Sequence, residues 1–149
     1  MPSEFIYRRR VEFCETDLAG IVHFANFYRY MEQAEHAFLH SLGLSIIDHM
    51  PDGSTIGWPR VSAKCRFEAP AHYYDELEVR LRVARKGVKS LTYEVEIHRG
   101  KTRLATGEMK TVCCTVRPGK PLQSIELPAK YAELIEEYVP VQSSKDSRT

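Results

Sequence analysis

The chain has 149 residues, of which 43% are hydrophobic and 28% charged, with a formal net charge of +1. That length suffices for one domain with its own core, without metal or disulfide staples. A charge so near zero gives no general electrostatic case for nucleic acid or an anionic membrane, and no apolar run approaches the ~20 residues that span a bilayer.

The opening stretch MPSEFIYRRR is charged and lacks an apolar run, so it does not read as a secretory signal. Residues 4–13 alternate as a strand does, with Phe5, Tyr7, Arg9 and Val11 on one face and Ile6, Arg8 and Arg10 on the other. Its YRRR run is too short, and too bare of any recognition motif, to indicate nucleic-acid binding. A glycine-containing loop, ETDLAGIVHF, comes next. The spacing then predicts a helix from Asn26 to Leu42, with Phe27, Met31, Ala34 and Phe38 on one stripe and Arg29, Gln33, His36 and His40 on another face. Gly43 suits the left-handed position that ends a helix.

From about residue 57 the period falls to 2. In ELEVRLRVARKG, Leu77, Val79, Leu81 and Val83 share a face; in SLTYEVEIHRG, Leu91, Tyr93, Val95 and Ile97 do the same. Gly100 and Lys101 turn the chain into TRLATGEMKTVCCTV, expected as another long strand. With RVSAKCRFEAP before them, these make four strands with short connections, which should pair antiparallel. Pro128 is expected to open a short terminal helix. Residues 1–140 then form a single domain, and residues 141–149 are expected to be a frayed polar tail. One helix covers little of a five-stranded sheet, so a homo-oligomer with a continuous sheet is expected.

The cysteines Cys14, Cys65, Cys113 and Cys114 contain no CxxC pair and read as reduced thiols, which suits a cytoplasmic setting. Cys14 near His23 shows no feature that would make it a nucleophile. Glu32, His36 and His40 are spaced by four on the helix, but no fourth ligand and no HExxH motif accompany them, so no metal is expected.

Residues 13–30, FCETDLAGIVHFANFYRY, bring an acid, a glycine turn, a histidine and a helix start together. Amides at a helix start can hold a developing oxyanion. A nearby carboxylate can attack a carbonyl or activate water. By spacing alone, Asp17 could equally just cap its turn.

The run from Glu15 to Tyr28, ETDLAGIVHFANFY, resembles the signature of the 4-hydroxybenzoyl-CoA thioesterase family, D-x-D-x-x-G-x-V-x-x-x-x-Y. The likeness continues through FEAPAHYYDELEV, RKGVKS and VRPGKPLQSIELP, from about residue 5 to residue 128. It implies an α+β hotdog fold: one long central helix wrapped by an antiparallel sheet of about five strands, assembled as a dimer or as a dimer of dimers (a homotetramer). It implies hydrolysis of an acyl-CoA thioester to free acid and CoA, with no cofactor beyond the CoA of the substrate. Asp17 stands where the family has its catalytic carboxylate, nucleophile or general base. The N–H near Phe24 stands where the thioester oxygen is polarised, and Gly57 matches a glycine whose N–H acts from across the subunit interface. Many bacterial relatives have Tyr-His where this chain has His23-Phe24, so the imidazole is shifted by one residue. Lys86, Lys89 and Ser90, with Arg117 and Lys120, match the segments that meet the CoA phosphates. Glu32 or Glu35 is a second candidate acid, because another hotdog branch uses a helix glutamate. Two rival functions remain: a hotdog dehydratase, and a non-catalytic acyl-CoA or acyl-carrier-protein binding module.

Overall fold

A computed structural model describes residues 4–140; the tail expected at 141–149 lies outside them. The elements are strand β1 (Phe5–Arg10), a 3-10 turn (Phe13–Glu15), helix α1 (Phe24–Ser41), strands β2 (Asp48–His49), β3 (Thr55–Gly57), β4 (Arg60–Phe67), β5 (Glu76–Lys86), β6 (Ser90–Arg99), β7 (Thr102–Val112), β8 (Cys114–Val116) and β9 (Gln123–Ser124), and helix α2 (Ala129–Leu134).

Five strands form one antiparallel sheet in the order β1-β5-β6-β7-β4. The alternation read from sequence holds. Val79, Leu81 and Val83 stack register by register against Ile97, Val95 and Tyr93, and these and Leu77 are buried. Helix α1 lies across this face. Phe27, Met31 and Ala34 are buried as expected, joined by Tyr30 and Leu39, while Phe38 is half-buried between Phe5 and Tyr93. The helix ends in a Schellman motif: Gly43 N–H donates to His40 O (3.0 Å) and Leu44 N–H to Leu39 O (2.9 Å), with Gly43 at φ +73°. Where α1 crosses the sheet, the strand surface must drop away. Gly107 provides the gap, since a Cβ there would lie 2.5 Å from Met31 Cε and 3.1 Å from Lys64 O. One long helix on a five-stranded antiparallel sheet is the hotdog arrangement.

Four expectations are corrected. The helix starts two residues earlier than expected, at Phe24 rather than Asn26, because His23 caps it. The strand β4 does not neighbour β5; it crosses to the far edge and pairs with β7, while β1 takes the place beside β5. The long strand after Gly100 breaks at Cys113, whose N–H turns to Lys89 O (2.7 Å), and the chain leaves for a second sheet of order β2-β3-β8-β9. Cys113 is buried there, and burial pushes its thiol up to about 11. Pro128 precedes α2 as its cap rather than its first residue. Among the described residues no helix is long and apolar enough to cross a membrane.

Candidate active site

The loop before α1 is built on a polar anchor. Arg9, from β1, reaches Glu15 Oε1 and Gln33 Oε1, both at 2.5 Å, with its guanidinium 4.3 Å from the Tyr30 ring centre. Glu15 Oε1 also accepts the Glu12 N–H at 2.8 Å, which closes the 3-10 turn. Tyr30 is fully buried, and that burial, with Glu15 beside it, holds its phenol above the usual range.

From this base the chain makes a tight turn around Asp17. Asp17 N–H donates to Ile21 O and Gly20 N–H to Asp17 O, both at 2.9 Å. Ala19 N–H donates to Asp17 Oδ1 at 2.8 Å, an Asx turn. Gly20 sits at φ +79°, which a side chain would strain. The turn is tied to the segment preceding β5 by Val22 N–H to Ala71 O (2.8 Å) and a bridge between Ile21 and His72. One carboxylate oxygen of Asp17 is thus anchored, and Oδ2 has no partner among the described residues.

Helix α1 starts seven residues after Asp17. His23 N–H donates to Glu15 O (2.9 Å), and the buried Asn26 side chain donates to the same oxygen at 2.8 Å. The first amides of a helix lack intrahelical acceptors. Here Asn26 N–H goes to His23 O (2.9 Å) and Ala25 N–H to His23 Nδ1 (3.2 Å), while Phe24 N–H finds no acceptor among the described residues.

Asp17 and Phe24 line one open cleft of about 480 Å³, walled by Phe27, Phe67, Ala69 and Pro70. Phe67 meets Phe27 edge-on at 5.3 Å and Phe24 at 6.3 Å. Phe24, on the cleft wall, stands largely exposed, as does Leu18 beside Asp17 in the chain. Glu68 also lines the cleft, but Arg103 binds both its oxygens (2.8 and 3.0 Å) and holds its carboxyl below the usual range. Asp17 is therefore the unengaged acid. Residues 67–70 open the FEAPAHYYDELEV run, and sequence alone assigns them no site role. Only the pairing of Ile21 and Val22 with residues 71–72 brings them to the acid, and no sequence pattern carries that long-range contact.

The helix glutamates are otherwise engaged. Glu35 is buried and clamped by Arg60 at 2.8 and 3.1 Å, with Glu32 on the same guanidinium at 3.2 Å.

The remaining candidates gather elsewhere. Gly57 pairs with Cys114 just before β4. Lys89 and Ser90 lie in the β5–β6 hairpin, where Gly87 N–H meets Ser90 O at 2.8 Å. Lys86 Nζ caps α2, donating to Ala132 O (2.8 Å) and Ile135 O (3.0 Å). Arg117 binds Asp52 Oδ2 at 2.9 Å on the second sheet, and Lys120 closes the following turn. Asp17 sits beyond the first residue of β5, and the hairpin follows its last. An 11-residue strand separates them, roughly 30 Å at strand rise. Within one chain these two groups do not meet.

A family model described as the thioesterase superfamily matches residues 19–106. A provisionally named esterase of Aquifex aeolicus is 32% identical over 133 residues, covering 89% of this chain and 98% of its own. The 4-hydroxybenzoyl-CoA thioesterase of a Pseudomonas species is 27% identical over 143 residues, covering 90% and 99%. Among solved structures, a 1,4-dihydroxy-2-naphthoyl-CoA thioesterase from Synechocystis superposes with a TM-score of 0.78 at 29% identity, covering 89% of this chain and 96% of that one.

Proposed function

This chain belongs to the thioesterase superfamily and is an acyl-CoA thioesterase; we propose that Asp17 carries its chemistry and that a second copy of the chain completes the site. The observation that carries the assignment is that Asp17, with one carboxylate oxygen unengaged, and Phe24, with an unpaired N–H, line the same largely apolar cleft.

With Asp17 as general base, its carboxylate takes a proton from water while the water oxygen attacks the thioester carbonyl. The carbonyl oxygen becomes an oxyanion, which the Phe24 N–H meets. The C–S bond then breaks, and CoA leaves as thiolate to take up a proton. With Asp17 as nucleophile, the same collapse gives a mixed anhydride that water hydrolyses. The loss of one such oxyanion donor costs about 3 kcal/mol. His23 has its Nδ1 engaged in capping the helix, which argues against the Asp–His pairing of a dehydratase.

The second copy follows from strand geometry. β4 is an edge strand, and most of its residues are exposed. Two copies of β4 paired antiparallel about a two-fold axis bring Phe67 of one chain beside Arg60 of the other. The Asp17 cleft of one chain then faces Gly57, Lys89 and Ser90 of the partner subunit. In that dimer the Gly57 N–H supplies a second oxyanion donor, and the hairpin reaches the CoA phosphates together with Arg117 and Lys120. Lys86, engaged by α2, contributes through the hairpin's shape. The aromatic walls Phe24, Phe27 and Phe67 favour an aromatic acyl group, in keeping with relatives named for 4-hydroxybenzoyl-CoA and 1,4-dihydroxy-2-naphthoyl-CoA. We assign the protein no cofactor and place it in the cytoplasm, with residues 1–140 as one domain.

The test is thiol release from aromatic, short-chain and long-chain acyl-CoAs by the chain and by Asp17→Asn. The variant is expected to lose at least 100-fold in kcat, by analogy with loss of a general acid–base group, about 10²–10⁴. Tight acyl-CoA binding with no turnover by either protein would favour the binding module instead.

A further inference from the structure

Resting on the reading that Phe24 N–H meets the oxyanion, we propose that His23 is a positioning residue: its unprotonated Nδ1 caps α1 so that Phe24's amide alone is left free, and acid undoes the arrangement. Which amide of a first turn stays unpaired is decided by the cap. His23 has the extended backbone of a cap residue, φ −61° and ψ 134°. Its carbonyl takes Asn26 N–H at 2.9 Å and its ring takes Ala25 N–H at 3.2 Å. Without the ring, two amides instead of one compete for solvent and for the substrate oxygen, and the first turn loosens.

The ring can accept this bond only with its proton on Nε2. It is held in place by its neighbour, since the imidazole lies 4.8 Å from the Phe24 ring at an interplanar angle of 30°. The backbone beneath is pinned by His23 N–H to Glu15 O. A nitrogen occupied in this way cannot also take a proton from water, so His23 acts through Phe24 and not on the substrate.

Imidazoles titrate on the acid side of neutrality. A second proton would set N–H against N–H and put a positive charge at the positive end of the helix dipole. The other ionisable groups on the segments packed about this turn are largely engaged. Glu15 is bound by Arg9, Glu68 by Arg103, and Asp75 by Arg99 and the His72 N–H. Glu12 belongs to the 3-10 turn, Arg29 reaches Asn26, and His72 lies 3.9 Å from Asp75. Asp17 is the remaining carboxylate beside the turn.

The experiment measures kcat and KM from pH 5 to 9 for the unmodified chain, His23→Ala and His23→Asn, with thermal melts to show that each is folded. Asparagine is a strong cap that does not titrate. His23→Ala is expected to lose about five- to tenfold in kcat at neutral and higher pH with KM little changed, as the loss of one cap implies, and the deficit should shrink toward pH 5.5, where the unmodified chain loses the same cap. His23→Asn is expected to keep kcat at neutral pH and to outlast the unmodified chain toward pH 5.5. A loss in Asn as deep as in Ala would overturn the proposal in favour of a proton carrier, and full activity in both would overturn it outright. Absence of turnover by the unmodified chain would instead sink the hydrolase reading on which this role rests.

Discussion

Arg60 stands where the edge strand meets the helix, and its guanidinium grips a carboxylate that water barely reaches. Glu35 is 1% exposed and receives two charge-assisted hydrogen bonds from that arginine. Burying two charges is costly, and the pair holds only because each answers the other. Truncating Glu35 to alanine leaves the partly buried guanidinium with only the exposed Glu32 to answer it and should cost about 3 kcal/mol, the low end for a broken buried pair. Replacing both residues, as Glu35→Leu with Arg60→Met, should recover most of that; urea denaturation of the two variants measures it. At this scale the sequence was only half legible. Asp17 and the unpaired amide lie within eight residues of each other, so a local motif could point to both. Arg60 lies 25 residues from Glu35, and nothing in a helical stripe indicates which distant cation will neutralise a glutamate that ends up inside it.

Among the elements, Gly107 governs how closely the helix approaches the sheet. It lies in the row that runs through Val95 and Leu81, all opposite one another across three strands. Gly107→Ala would push a methyl into Met31 and the Lys64 carbonyl. Met31 can swing away but the backbone oxygen cannot, so a loss of about 1–3 kcal/mol is expected, read from thermal or chemical unfolding. Periodicity made β1, β5, β6 and the helix visible because each turns one face inward, whereas β4 is mostly exposed. It could not show strand order, which depends on the 8-residue link from Phe67 to Glu76 carrying the chain past β7 and β6 to a place inside β1. Nor could it show the break at Cys113, where the alternation continues but the hydrogen-bond partners change sheet. The helix start was misplaced for a related reason: the apolar stripe begins at Phe27, whereas the cap that begins the helix is an imidazole, outside the usual Ser, Thr, Asp and Asn.

Across the whole molecule, the candidate residues fall into two groups at opposite ends of β5. The sequence lists them together because it carries no distances. The separation has a genetic consequence. If each site draws its acid from one chain and its phosphate-binding hairpin from another, two differently damaged copies can repair each other. An Asp17→Asn chain and a Lys89→Glu chain should each be nearly inactive alone. Mixed, unfolded and refolded together, half of the dimers would be hybrids, and each hybrid holds one site with both defects and one with neither. About a quarter of full activity should return, as two-fold symmetry dictates. Two such alleles in one cell would complement, although neither encodes a working protein.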